Sequence, residues 1–261
     1  MQSVSWLRRR KYGLMRLGLL TLAAVLATAA RAEENVPNCE VPPYLLATES
    51  KLPKVAEAVK NGKPLDILVL GSRSSAIVST SDNNAYPFRL QAALKEKLPS
   101  ATVNLSVELQ PKKTAEEMAG SFVKLLEAKK PNLVIWQTGT VDAMRSIDPD
   151  EFRAAVNNGV TELQDAGADV ILMNLQYSPR TETMISVPPY IDNMRVVAQE
   201  RDVPLFDRFA IMRQWNENGD FDLFNPTHGI ELAKQVHDCL GKALSKLIID
   251  AAQLGPVAQQ N

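Results

Sequence analysis

The sequence predicts a single α/β domain in which a parallel sheet of about five strands lies between two helical layers. Three observations lead there. Short runs of consecutive apolar residues recur along the chain, each is followed by a helix-length amphipathic segment, and Gly, Pro or Asn punctuates the boundaries. A continuous apolar run marks a strand covered on both faces, and regular strand–helix alternation returns each strand parallel to the last.

The first 32 residues stand apart. Arg8, Arg9, Arg10, Lys11 and Arg16 precede an apolar stretch over 17–30 that ends in Ala30-Arg31-Ala32. This order predicts a secretory signal peptide cut after Ala32. A membrane-spanning helix would need roughly 20 apolar residues, so the expectation is an exported protein, periplasmic or secreted, with no transmembrane segment after cleavage. The leader holds six of the 29 basic residues and none of the 30 acidic ones, leaving 23 against 30, a formal charge of −7. Such a balance argues against a nucleic-acid partner, which requires a basic stripe.

Residues 33–50 lack a period and read as an extended arm; the domain itself is expected over 51–254 and a polar tail over 255–261. Helix 52–61 stops at Asn61-Gly62-Lys63-Pro64 and leads into strand 65–70. Helix 86–98 ends at Leu98-Pro99-Ser100, before strand 101–107. Helix 114–129 precedes strand 132–137, and helix 149–166 stops at Gly167 before strand 168–175. Helix 188–201, the short strand 203–206 and a closing helix over 231–252 complete the series. The 229 residues after the leader suffice for one domain with a full core, and a monomer is expected.

Two cysteines, Cys39 and Cys239, lie in a chain expected to meet an oxidising compartment. A disulfide between them is predicted, tying the arm to the closing helix; so long a loop corresponds to about 4–5 kcal/mol in the chain-entropy treatment. The alternative is two separate buried thiols. No His, Cys, Asp or Glu cluster has metal-ligand spacing, and the Gly71 turn lacks the repeated glycines of a nucleotide loop, so no cofactor is expected. Trp136, His237 and Trp215 read as structural residues.

In an open parallel sheet the ligand site lies beyond the carboxyl ends of the strands, where strand order reverses. That rule selects the loops 71–82, 108–113, 138–148 and 177–187, with 220–231 as a further segment able to reach the same edge. Strand one runs into Gly71-Ser72-Arg73-Ser74-Ser75, strand three into Gly139-Thr140-Val141-Asp142, and His228-Gly229-Ile230-Glu231 stands before the closing helix. The order of these segments resembles the SGNH (GDSL-type) hydrolases over nearly all of the chain after the leader. The resemblance implies a three-layer αβα, flavodoxin-like fold and an ancestral reaction of ester hydrolysis or O-deacylation. In that family a serine attacks the carbonyl, a histidine with an aspartate three residues before it acts as base, and backbone or side-chain donors hold the oxyanion.

Carried over position by position, each block is altered. The nucleophile position is Arg73, whose permanently protonated guanidinium cannot attack a carbonyl. The glycine of the second block falls near 106–110, where there is none, and the asparagine of the third falls on Val141, which supplies no donor; losing one such donor typically costs about 10²–10³ in rate. The last block has two registers: either His228 is the base and Asn225 precedes it by three, or His228 takes the aspartate position and Glu231 the histidine position. The second fits the following Gly229 and Leu232 better, and neither contains an Asp-x-x-His pair.

Two readings of the site follow. A rebuilt site would use Ser74 as nucleophile, His228 as base, and Glu231 or Asp222 to orient it. Alternatively, Ser72, Ser74 and Ser75 are turn residues that satisfy nearby backbone groups, and His228 caps the closing helix. Arg73 could bind an anionic group or form a salt bridge to Asp142 or Glu231; Tyr177 and Arg180 could line a groove or belong to an ordinary Pro-containing loop. The expectation is an esterase-like protein that is catalytically impaired or inactive, its cleft turned to an anionic or carbohydrate-like ligand of the envelope through Ser72, Arg73, Asp142, Tyr177 and Arg180. A rebuilt active esterase and a partner-binding accessory protein are the alternatives.

Overall fold

The computed structural model of the protein describes residues 39–79, 82–224 and 229–255. Helix α1 (Pro53–Lys60) leads to strand β1 (Leu65–Gly71), then α2 (Tyr86–Lys97) and β2 (Val103–Leu109). Helices α3 (Ala115–Ala119) and α4 (Phe122–Lys129) precede β3 (Leu133–Gln137), and α5 (Thr140–Met144) and α6 (Pro149–Asp165) precede β4 (Asp169–Met173). The chain closes with α7 (Pro179–Met184), α8 (Pro188–Glu200), β5 (Leu205–Phe206), α9 (Arg208–Glu217) and α10 (Gly229–Ala251).

The five strands form one all-parallel sheet in the order β2-β1-β3-β4-β5. Every residue of β3 and β4 is buried, as continuous apolar runs require of strands covered on both faces. From β1 the chain steps outward to β2 and then returns past β1 to β3; right-handed crossovers in opposite directions place their helices on opposite faces. Accordingly α2 packs with α10, while α6 packs with α3, α4 and α8. This is the three-layer αβα arrangement expected from the sequence, and it puts the switch point between β1 and β3.

Four differences from the sequence reading have local causes. The helix expected over 114–129 is two, because Ser121 turns its hydroxyl onto the Met118 carbonyl at 2.8 Å and takes that carbonyl with its own N–H at 3.1 Å. The strand expected over 203–206 is only Leu205–Phe206: the Val203 N–H is spent on Ala198 O, and Pro204 has no N–H to give. The loops after β3 and β4 contain α5 and α7, each too short for its periodicity to be legible. Finally, α9 follows β5 directly, started by Asp207 accepting from Ala210 N at 3.0 Å.

The N-terminal segment is held by its ends. Cys39 and Cys239 form the expected disulfide, with Cα atoms 5.0 Å apart. Nearby, Trp215 Nε1 donates to Glu40 O at 2.8 Å and Leu52 N to Ala251 O at 3.2 Å. Trp136 and Trp215 are fully buried, as core aromatics. His237 is buried in α10, and its Nδ1 accepts the Tyr86 N–H at 2.9 Å, satisfying a free donor at the start of α2. Desolvation and the nearby Arg208 push its pKa down to about 3, so the ring is a neutral structural acceptor. No helix among the described residues is long and apolar enough to cross a membrane.

Candidate functional site

Strand β1 ends at Gly71, and the chain turns at once through one 3-10 turn, Arg73–Ser75, closed by Ser75 N donating to Ser72 O at 3.0 Å. A Cβ on residue 71 would stand 2.3 Å from Ser75 Oγ, so the glycine is what lets the turn fold back on its own strand. The serines then converge on Gln137, the last residue of β3. Its Oε1 lies 2.6 Å from Ser75 Oγ, 3.2 Å from Ser72 N and 3.5 Å from Ser74 Oγ, and its Nε2 donates to Ser72 Oγ at 3.2 Å. Ser75 also meets the buried Tyr86 hydroxyl at 3.2 Å. The serines therefore satisfy a side chain of the neighbouring strand, where the sequence suggested backbone groups.

Beyond β3 the chain makes its second sharp turn at Gly139, whose φ of 97° starts α5. This helix carries Asp142 inward: the residue is 1% exposed, and its Oδ1 accepts from Ala115 N at 2.9 Å. Together with the Thr114–Glu117 capping box, Asp142 thus satisfies the start of α3. Burial raises its carboxyl pKa, and the backbone donor at Ala115 works against that rise. Oδ2 is buried with no hydrogen-bond partner among the described residues. Asp142 is consequently a structural carboxylate under the site and lines no part of the cleft described below.

That position explains a second correction. Arg73 makes no salt bridge to Asp142 or Glu231: the first is buried with its Oδ1 on the start of α3, and the second pairs with Lys234 at 2.6 Å on the surface of α10. The Arg73 guanidinium instead folds onto its own loop, donating to Ala76 O at 3.3 Å and Ile77 O at 3.0 Å. Glu231 has a side chain 76% exposed, which leaves it unsuited to orient a buried base. Tyr177 is 6% exposed with its ring edge-on to Phe209, so it is a core aromatic where a groove-lining residue was expected. Arg180 is exposed in the first turn of α7 and Asp222 Oδ1 accepts from Phe224 N at 3.2 Å. His228 lies outside the described residues.

What these elements enclose is a cleft of about 580 Å³ beyond the carboxyl ends of β1 and β3, at the switch point. It is lined by Ser72, Arg73 and Ser74 of the turn after β1, by Lys112 after β2, and by Thr140, Val141, Met144 and Arg145 after β3. A cavity of similar size, about 590 Å³, sits at the amino-terminal ends of β3 and β4, walled by Leu126, Lys130, Asn132 and Gly167; the sheet rule and the serine turn favour the first. Of the residues proposed from sequence, the structure brings Ser72, Arg73 and Ser74 together there.

The sequence reading missed three residues of this site. Gln137 anchors the serine turn; Gln176 and Arg208 stand behind it. Arg208 is fully buried, and it donates to Ser74 Oγ at 3.2 Å, Ser74 O at 3.1 Å and Gln176 Oε1 at 3.0 Å. A signal for it was present: Arg208, Ile211, Met212 and Trp215 have i, i+3, i+4, i+7 spacing, which puts the arginine on the apolar face of α9. The arrangement can polarise Ser74 as a hydrogen-bond donor. Among the described residues it supplies no general base for Ser74: the neighbours of that hydroxyl are the Gln137 amide oxygen, the Ser72 hydroxyl and the Arg208 guanidinium, none of which takes up a proton at neutral pH.

Comparison with known proteins agrees with this architecture. The chain is 26% identical over 113 residues to an arylesterase of Vibrio mimicus, a match spanning 43% of this chain and 56% of that protein. In solved structures the fold recurs in TesA, at a TM-score of 0.54 and 20% identity, covering 69% of this chain and 98% of that one. It recurs as well in a two-domain esterase active on acetylated mannans, at a TM-score of 0.63 and 14% identity, covering 79% of this chain and 55% of that one. The profile of the Non-GDSL lipase-like family matches residues 38–254, most of the sequence, and the chain belongs to that family.

Proposed function

We propose that this protein is an exported member of its family in which the serine route to ester hydrolysis is lost and the cleft at the switch point serves to bind a ligand. The observation that carries the reading is the state of the serine turn. Arg73 occupies the nucleophile position, and the only hydroxyl of the turn that is both cleft-lining and half-exposed, Ser74, receives a hydrogen bond from a guanidinium. Acyl transfer needs a neighbour that removes the serine proton, whereas a guanidinium can only donate. Val141 in place of an oxyanion donor adds to the same conclusion. Export is supported by the basic-then-apolar leader ending at Ala32 and by the disulfide, a bond that persists in oxidising compartments.

The test is activity-based labelling. Purified, disulfide-intact protein incubated with a fluorophosphonate and analysed by intact mass is expected to remain unmodified, and to hydrolyse p-nitrophenyl acetate no faster than buffer. Stoichiometric modification at Ser74, abolished by His228→Ala, would overturn the reading and establish a rebuilt serine hydrolase.

A further inference from the structure

Arg208 is placed unfavourably on three counts. It is wholly buried, and among the described residues no carboxylate lies within salt-bridge distance of it. The adjacent Asp207 is committed elsewhere, to Ala210 N, to Asn174 Nδ2 at 2.7 Å and to Arg195 at 2.7 Å. Arg208 is also the first residue of α9, where the helix dipole disfavours positive charge. Its compensation is entirely neutral: Ser74, the Gln176 amide, and the face of Tyr86 with the guanidinium carbon 5.7 Å from the ring centroid. Nε is buried without a hydrogen-bond partner among the described residues. Burying an unpaired cation is costly, and the usual remedies are a counter-charge or hydrogen bonds to charged acceptors.

The geometry shows where a counter-charge would act. Ser74 stands between Arg208 and the cleft, so the serine oxygen accepts from the arginine and its proton is left to point away from it. Among the described residues that proton has only distant acceptors, Ser72 Oγ at 3.4 Å and Gln137 Oε1 at 3.5 Å. The charged side chains lining the cleft are Arg73, Lys112 and Arg145, with no carboxylate among the described lining residues; Arg145 is already held by Glu117 at 3.1 Å. Val141 and Met144 supply apolar lining, and no aromatic platform for a sugar is present among the described lining residues.

We propose that the cleft takes an amphiphilic anion, a carboxylate or phosphate head on an alkyl body. The head accepts the Ser74 hydroxyl, with its charge balanced by Arg208 behind the serine and by Arg73 and Lys112 of the lining, and the body lies along Val141 and Met144. This rests on the reading of the cleft as a ligand site and narrows it to one chemical class.

Titration calorimetry of the disulfide-intact protein tests it with octanoate, octyl phosphate and the neutral octyl glucoside. Octanoate or octyl phosphate is expected to bind at least tenfold more tightly than octyl glucoside, and which of the two is tighter identifies the head group. Ser74→Ala is expected to weaken the preferred anion at least tenfold, and Arg208→Gln likewise, while the remote Glu231→Gln leaves it unchanged. Ser74→Ala keeps the Ser74 carbonyl and Gln176 contacts of Arg208, so it reports on binding even if Arg208→Gln does not fold. Equal binding of octyl glucoside, no binding of either anion at millimolar concentration, or unchanged affinity in Ser74→Ala would overturn the proposal. Labelling by fluorophosphonate would overturn the non-catalytic reading alone; lost anion binding without labelling would overturn the anion seat alone.

Discussion

A serine hydroxyl acquires its chemistry from its neighbours, and the turn after β1 shows how far that holds at the scale of single residues. Restoring a hydroxyl at the nucleophile position by Arg73→Ser would not restore hydrolysis, because a serine there would still lack a proton acceptor among the described cleft residues and would still face Val141. Arg73→Ser is therefore expected to leave p-nitrophenyl acetate turnover at the buffer rate, measured by initial rates at neutral pH. A fluorophosphonate-sensitive activity appearing in this variant would show that a base is in place. Arg73 and Val141 were legible from sequence because a residue type that cannot perform a step is visible wherever it stands. Arg208 was not, since an arginine after an Asp cap resembles an ordinary solvent-facing charge until its apolar-face spacing with Ile211 and Trp215 is weighed.

At the scale of elements, apolar runs and stop signals located all five strands, while the two short helices after β3 and β4 were hidden inside what read as loops. A five- or six-residue helix shows too little of a 3.6 period to be recognised, and its existence depends on tertiary contacts. Gly139 illustrates those contacts. It has φ of 97°, and a Cβ there would stand 2.7 Å from Leu175 Cδ1, so both backbone and packing require glycine at the start of α5. Gly167, with φ of 87° at the stop of α6, has open space around it. Gly167→Ala should therefore incur only the backbone cost, about 1 kcal/mol, and Gly139→Ala that cost plus overpacking, about 2–4 kcal/mol in all. Urea denaturation of the two variants measures both. Equal losses would mean that Leu175 moves aside and that the turn is not packed as tightly as the structure has it.

Over the whole molecule, two buried groups give the stability opposing dependences on pH. His237 has its pKa pushed down to about 3 by burial and by Arg208, against about 6.5 in an unfolded chain. The unfolded state thus binds the extra proton between those values. The His237 contribution is complete above pH 6.5 and falls away toward pH 3, by roughly 1.4 kcal/mol per pH unit at most. Asp169 runs the other way. Its carboxylate caps α1 through Val55 N at 2.9 Å, and burial raises its pKa to about 6 from an ordinary 3.8. Here the native state holds the extra proton, so the contribution is complete below pH 3.8 and is lost as pH rises through 6. Between about pH 4 and 6 the two slopes offset each other, and Asp142, also raised by burial, adds to the Asp169 side. Relative to the parent protein, His237→Asn keeps an acceptor for Tyr86 N and removes the titration, so its denaturation midpoint should fall less steeply on acidification. Asp169→Asn keeps an acceptor for Val55 N and should fall more steeply over the same range. Both are read from urea midpoints between pH 4 and 7. Parallel profiles for the parent and both variants would show that neither group carries the burial-driven shift, and would return the acid response of the fold to its exposed carboxylates.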